Sequence, residues 1–462
     1  MRLARRRSHP LLRLPRASWR ALVGATALAA SLTAPARGDD LLQVFARAQR
    51  DNPSLRAAQA GYRAALAQTP AARAALLPHL DAAATLGATT QSNSDNPLLQ
   101  RFAMPSDWGY EQRDLSLTAT QALYRPGAHI AVRIAVNAAQ QAYVALLRAD
   151  QQLMIDVAGA YFERLAAADA LHALQRQRDA VARQLASARR QFAAGRGTIV
   201  DVRDAQAGDD ALAAQLIAAR NRIALADDRI EQLSGAPCRD PAPLLALPRL
   251  PEPAGTPAQW AQRAEQSSLA VRAAALALDD ARLHRQLAHS SALPQLDAYA
   301  RVEHASSSGG SNLFPFGTRS DAASVGVQLR WALATGGRVD ADVEQAAQRL
   351  EQATALRDAA RDDARHAARG AALTLAADQA RVEALQAALR SRGAALAANR
   401  LGYKVGMRAS TDVLDALAAR SDTERQLDAA RYAVLLDGLR LRQASGQLDV
   451  ADLQAVDALL RR

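Results

Sequence analysis

Cysteine is all but missing from this sequence, with Cys238 alone among 462 residues, so no disulfide can form within the chain. That thiol sits in a proline-rich stretch with no base beside it, which makes it a poor nucleophile. The eight histidines are scattered, without the His-x-x-x-His or Glu-x-x-His spacing that holds a metal, and no glycine-rich phosphate loop occurs. These absences argue against an enzyme, a metal site and any cofactor. No basic patch interleaves with aromatics, which make up only 4% of the chain, so nucleic acid is not an expected partner.

Long apolar runs are scarce as well. Residues 21–33 form one, but it falls short of the ~20 residues a spanning helix needs, and no later segment is expected to reach that length. Any membrane crossing would then be made by strands. The first 36 residues carry Arg2, Arg5, Arg6, Arg7, Arg13, Arg16 and Arg20, no acidic residue, and end in Ala34-Pro35-Ala36. This is the pattern of a cleaved secretion signal, 1–36. Its removal takes seven of the eleven excess positive charges and leaves +4, so the high pI is mainly a property of targeting.

What the sequence does hold is a duplication. Leu77-Pro78-His79-Leu80-Asp81-Ala82 returns as Leu293-Pro294-Gln295-Leu296-Asp297-Ala298, and Asp201-Val202-Arg203-Asp204-Ala205 returns as Asp412-Val413-Leu414-Asp415-Ala416 at a shift of 211. The repeats are expected at 37–235 and 257–446, with a proline-rich linker at 236–256 and a C-terminal tail at 447–462. Each repeat reads as a helix, two strands, a very long helix, a glycine break and a return helix. The strands are expected at 79–91, 112–124, 294–305 and 322–333, the long helices at 128–193 and 338–404, and the return helices at 198–234 and 410–445.

The strands alternate with a period of two. Leu80, Ala82, Ala84 and Leu86 oppose Asp81, Ala83, Thr85 and Gly87, and Val325, Val327 and Leu329 oppose Ser324, Gly326 and Gln328. Each strand has one apolar face. The segments 91–112 and 306–322 are rich in Ser, Asn, Gly and Pro and are expected as loops in water, with Trp108, Tyr110, Phe314 and Phe316 at their edges as an interfacial belt. A long helix of about 65 residues would measure roughly 100 Å. Near its end Leu171, Leu174, Arg178, Val181, Leu185, Ala188 and Phe192 follow the three-four spacing of a coiled coil.

Four strands cannot close a barrel, and lipid tolerates strands only in closed barrels, so copies of the chain must combine. Gly402-Tyr403-Lys404-Val405-Gly406-Met407-Arg408 followed by Thr411-Asp412-Val413-Leu414-Asp415-Ala416, together with the order of elements, resembles the TolC outer-membrane factor family. The resemblance covers essentially the whole chain after the leader. It implies a mainly α fold with a small membrane β-barrel: a homotrimer whose four strands per chain complete twelve, continued by a helical tunnel in the periplasm. It also implies a periplasmic adaptor (membrane fusion) protein and an inner-membrane pump of the ABC transporter class as partners, with outer-membrane lipid around the barrel.

For the closed inner end, the resemblance implies that Tyr403 and Arg408 bond to Asp201 or its backbone neighbours. It likewise implies that Asp412 and Asp415 form rings of carboxylates that favour cations, with Gly195 and Gly406 as the turns. Mutual repulsion in such rings would raise carboxyl pKa values. The same residues also suit plain helix ends, with Gly195 and Gly406 as C-caps and Thr198 and Ser410 or Thr411 as N-caps. Drug-efflux members often carry a lipidated amino-terminal cysteine and none follows this leader, which favours type I protein secretion. Drug or small-molecule efflux and a soluble periplasmic coiled-coil adaptor are the alternatives.

Overall fold

Two-residue alternation and coiled-coil spacing translate directly into the elements of the computed structural model, which describes residues 39–92, 101, 107–238, 240–245, 255–311 and 314–460. The leader lies outside these residues. The first half runs α1 (Leu41–Asp51), α2 (Pro53–Ala74), β1 (His79–Ser92), β2 (Asp107–Tyr124), α3 (Pro126–Ala193) and α4 (Ile199–Ser234). The second runs α5 (Pro257–Ser267), α6 (Leu269–Ser290), β3 (Gln295–Ser311), β4 (Phe314–Arg330), α7 (Arg338–Lys404) and α8 (Ser410–Ala444), and α9 (Val450–Asp457) follows.

Several expectations need correction. The single helix expected before the strands is two in each half. Asn52 accepts from the N–H groups of Ser54 and Leu55 and starts α2, and Ser268 accepts from Ala270 and starts α6, because their short polar side chains offer the backbone an alternative to continuing the helix. The strands are longer than expected, at 14 to 18 residues. Residues 107–112, 306–311 and 314–322, expected as loop, are paired in the sheet, while β4 ends at Arg330 rather than at residue 333. The tail contains α9, and Leu460 bridges to Leu244 of the expected linker. Within α3 an 18-residue stretch of mean hydropathy 1.3 is long and apolar enough to cross a membrane, contrary to expectation. Yet α3 packs against α2, α4, α6 and α8.

The sheet is antiparallel in the order β1-β2-β3-β4, so β1 and β4 are edges without a partner among the described residues. Its register stacks Ala82, Leu117, Val302 and Ala323 in one row, with Leu80, Ala119, Ala300 and Val325 in another. One face is apolar throughout these rows. The other carries Asp81, Thr118, Arg301 and Ser324. On β2, Leu115 and Leu117 are exposed while Ser116 and Thr118 are half-buried, as in a sheet that curls toward its polar side. Val325 is 84% and Leu86 81% exposed, an apolar area that nothing among the described residues covers.

Away from the sheet, α3 and α4 form one long hairpin and α7 and α8 another. The largest core ties their middles together, with Tyr161, Phe162, Leu435 and Leu453 buried beside Leu41 and Phe45 of α1. The first and last described helices close on each other here. The Asp457 carboxylate accepts from Leu41 N–H at 3.0 Å, and the Tyr161 hydroxyl donates to the carbonyls of Asp39 and Ala242. Cys238 is buried in this core, where burial pushes its thiol up to about 11, so it stays protonated and unreactive at neutral pH.

Beside this core the Tyr432 hydroxyl donates to Asp169 at 2.6 Å, and Arg431 pairs with Asp428 at 3.2 Å. Burial and the nearby Asp169 carboxylate push the Asp428 carboxyl up to about 6, against the pull of Arg431 and Arg176. The folded state thus holds the Asp428 proton more tightly than the unfolded chain does. Below the ordinary value of 3.8 the side chain is protonated in both states, and the charge penalty grows until it is complete above about 6. Asp428→Asn is expected to raise the thermal midpoint at pH 7.5 and to leave it nearly unchanged at pH 4. A gain that is constant across this range in a pH series of melting curves would show that the charge is not the cause.

Candidate functional site

Both long hairpins turn in the same way. Beyond α3, Gly195 takes φ 69° while Arg196 N–H reaches back to the carbonyl of Gln191 at 2.9 Å. Beyond α7, Gly406 takes φ 79° and Met407 N–H reaches the carbonyl of Gly402 at 2.8 Å. This left-handed cap satisfies the last carbonyls of a helix, and a side chain at either glycine would strain it. Gly402 has a second role, because a Cβ there would lie 2.7 Å from the Arg408 Cγ that folds over it.

The return helices start from carboxylates. Asp201 closes a capping box with Thr198, accepting from its N–H at 3.2 Å and from its hydroxyl at 2.6 Å. Asp412, its duplicate, accepts from Ala409 N–H at 3.2 Å and stands 3.7 Å from Arg408. The N-cap of α8 is Ala409, not Ser410 or Thr411 as expected. Ser410 is fully buried and bonds elsewhere.

Within one chain, neither Tyr403 nor Arg408 bonds to Asp201 or its backbone neighbours among the described residues. The Tyr403 hydroxyl donates to Gln191 Oε1 at 2.9 Å, and the Gln184 amide donates to Ser410 Oγ at 3.0 Å. Asp201 is occupied by its own capping box, and Arg408 by Asp412. Both interhairpin bonds join the α3 end to the α7–α8 turn. Beneath them Val181, Leu212 and Leu216 pack with Leu396, Val413 and Leu417 in one cluster. Asp415 is exposed on α8.

Gln184 and Gln191 carried no expectation from the sequence, and Ser410 was expected only as a helix N-cap. The available signal was the pair of glutamines seven residues apart, one heptad, flanking the apolar stripe of α3. Between the hairpins lies a groove of about 420 Å³, lined by Arg183, Arg400 and Lys404 together with Tyr403 and Gln191. Lys404 is the sole lysine of the sequence.

A sheet with an uncovered apolar face and two open edges, joined to helical hairpins some 100 Å long by their residue count, defines a tunnel-type channel of the outer membrane. The chain belongs to the outer membrane efflux protein family, whose profile matches it twice, over residues 44–236 and 260–447. It is 28% identical to the outer membrane protein TolC of Vibrio cholerae over 93% of this chain and 96% of that protein. It is 29% identical to the alkaline protease secretion protein AprF of Pseudomonas aeruginosa over 90% of this chain and 86% of that one. The outer membrane channel CmeC of Campylobacter jejuni has the same fold, with a TM-score of 0.75 at 15% identity over 92% and 90% of the two chains. The family comprises transport channels, not enzymes, and the protein resides in the outer membrane and extends into the periplasm.

Proposed function

We propose that three copies of this chain close a twelve-stranded barrel and form the exit duct of a tripartite export system, with type I protein secretion as its task. The observation that carries the duct is the sheet, whose exposed apolar face and unpaired edges require both lipid and further strands. A periplasmic adaptor and an ABC-type inner-membrane pump would supply the docking contacts and the energy. The likeness to a protease secretion protein over nine-tenths of the chain favours protein cargo. Small-molecule efflux is the second reading, favoured by the family's description as efflux proteins.

In this duct the Tyr403–Gln191 and Gln184–Ser410 bonds hold the inner mouth shut. Gly195 and Gly406 form its turns, and Asp412 and Asp415 give each trimer two rings of carboxylates. Arg408 and Asp201 act at the turns they stabilise.

Deleting the gene and comparing secreted proteins with drug tolerance separates the two readings. Loss of proteins from the medium at unchanged drug tolerance is the expected result. Drug hypersensitivity with an intact set of secreted proteins would instead assign the duct to efflux.

A further inference from the structure

The register that sorts the sheet into two faces also orders the apolar face by height. Moving away from the helices, its rows read Leu329 with Leu296, Val327 with Ala298, Val325 with Ala300 and Ala323 with Val302. Two rows follow that turn polar toward β4. The first sets Asp321 beside His304, Leu115 and Ala84, and the second sets Arg319 beside Ser306, Arg113 and Leu86. From Leu329 to Arg319 the strand climbs ten residues, which at ~3.4 Å each is ~34 Å along the strand. At the ~40° tilt of membrane barrels this is ~26 Å of height, against an apolar band of about 25 Å. Arg113 and Arg319 therefore emerge where hydrocarbon ends and head groups begin, on the side away from the periplasmic helices.

Their surroundings leave them free to bind. Arg113 pairs with Glu111 at 3.1 Å, but both side chains are more than three-fifths exposed, so the pair is easily exchanged. Asp321 is taken by His304, and Arg319 makes no ion pair among the described residues. The two arginines lie two strands apart, ~10 Å between their backbones, with Ser306 on the strand between them. An arginine facing lipid at this level is tolerated because its planar fork can take a phosphate by two parallel bonds.

We propose that the Arg113–Ser306–Arg319 row is a binding site for the phosphate groups of outer-leaflet lipid. The proposal rests on the reading of the sheet as part of a closed barrel. The probe is lipid A bearing both phosphates, titrated onto the purified, detergent-held full-length protein and counted by native mass spectrometry. Arg113→Gln with Arg319→Gln is expected to weaken retention about 30-fold, the effect of two arginines near an anionic surface. Dephosphorylated lipid A should bind the parent protein no better than intact lipid A binds the variant.

Equal retention by parent and variant, or of the two lipids by the parent, overturns the site. Displacement by inorganic phosphate as effective as by lipid A overturns the lipid as its occupant. Planar-bilayer conductance of the variant, expected to match the parent, shows that it is folded. Should the double variant fail to assemble, Arg319→Gln alone is read in the same way, with a smaller loss. A parent protein that conducts but ignores the lipid phosphates sinks the site and leaves the barrel standing, whereas one that never conducts sinks the barrel.

Discussion

The double variant Tyr403→Phe, Ser410→Ala is expected to conduct several-fold more current than the parent channel in planar bilayers. These substitutions remove the two side-chain bonds that join the α3 end to the α7–α8 turn, Tyr403 to Gln191 and Gln184 to Ser410. Each such bond is worth about 1 kcal/mol net. Two bonds in each of three copies give about 6 kcal/mol, and about 5.5 kcal/mol is enough to turn a 1:99 equilibrium into 99:1. The apolar contacts of Val413 and Leu417 survive, so the hairpins stay folded while the mouth loosens.

Asp201→Asn is the control. It disturbs only the capping box of α4, so it should cost about 1 kcal/mol of stability and leave the conductance near that of the parent. If Asp201→Asn opens the pore and the double variant does not, the bond set within the chain is not the lock.

The difference between these contacts and the expected one shows where sequence ends as a guide. The duplication makes Asp201 and Asp412 equivalent, and a carboxylate at the third position of a helix has a local use that competes with any distant partner. Position along the chain could not reveal that the local use wins and that a neutral glutamine meets Tyr403. The strands were legible because hydropathy alternates wherever one face meets lipid, as in Val325 against Ser324. Beyond that band Ser306, Ser308 and Thr318 lose the contrast and read as loop, although the backbone ladder continues through them. Short α9 has little periodicity to display. It is held by burial of Leu453 and Val456 against distant segments.

The sheet gives the other large expected effect. Val325→Arg should abolish recovery of the channel from the outer membrane, while Ser324→Arg, one residue earlier, should insert at close to the parent level. Val325 lies 84% exposed near the middle of the apolar band and pairs with Ala300, whereas Ser324 faces the opposite side and pairs with Arg301. That side already accommodates a cation, with Arg301 bonded to Glu303 at 3.0 Å. An arginine facing lipid at mid-depth costs about 2–4 kcal/mol, and a trimer would carry three, for a total near the whole stability of a typical domain. Detergent-extracted trimer, assayed in the outer-membrane fraction at matched synthesis, reports the outcome. Equal insertion of both variants would mean that neither face meets hydrocarbon. Failure of Ser324→Arg alone would mean that the faces are reversed. Only selective failure of Val325→Arg fits an apolar face turned outward to lipid around a polar bore.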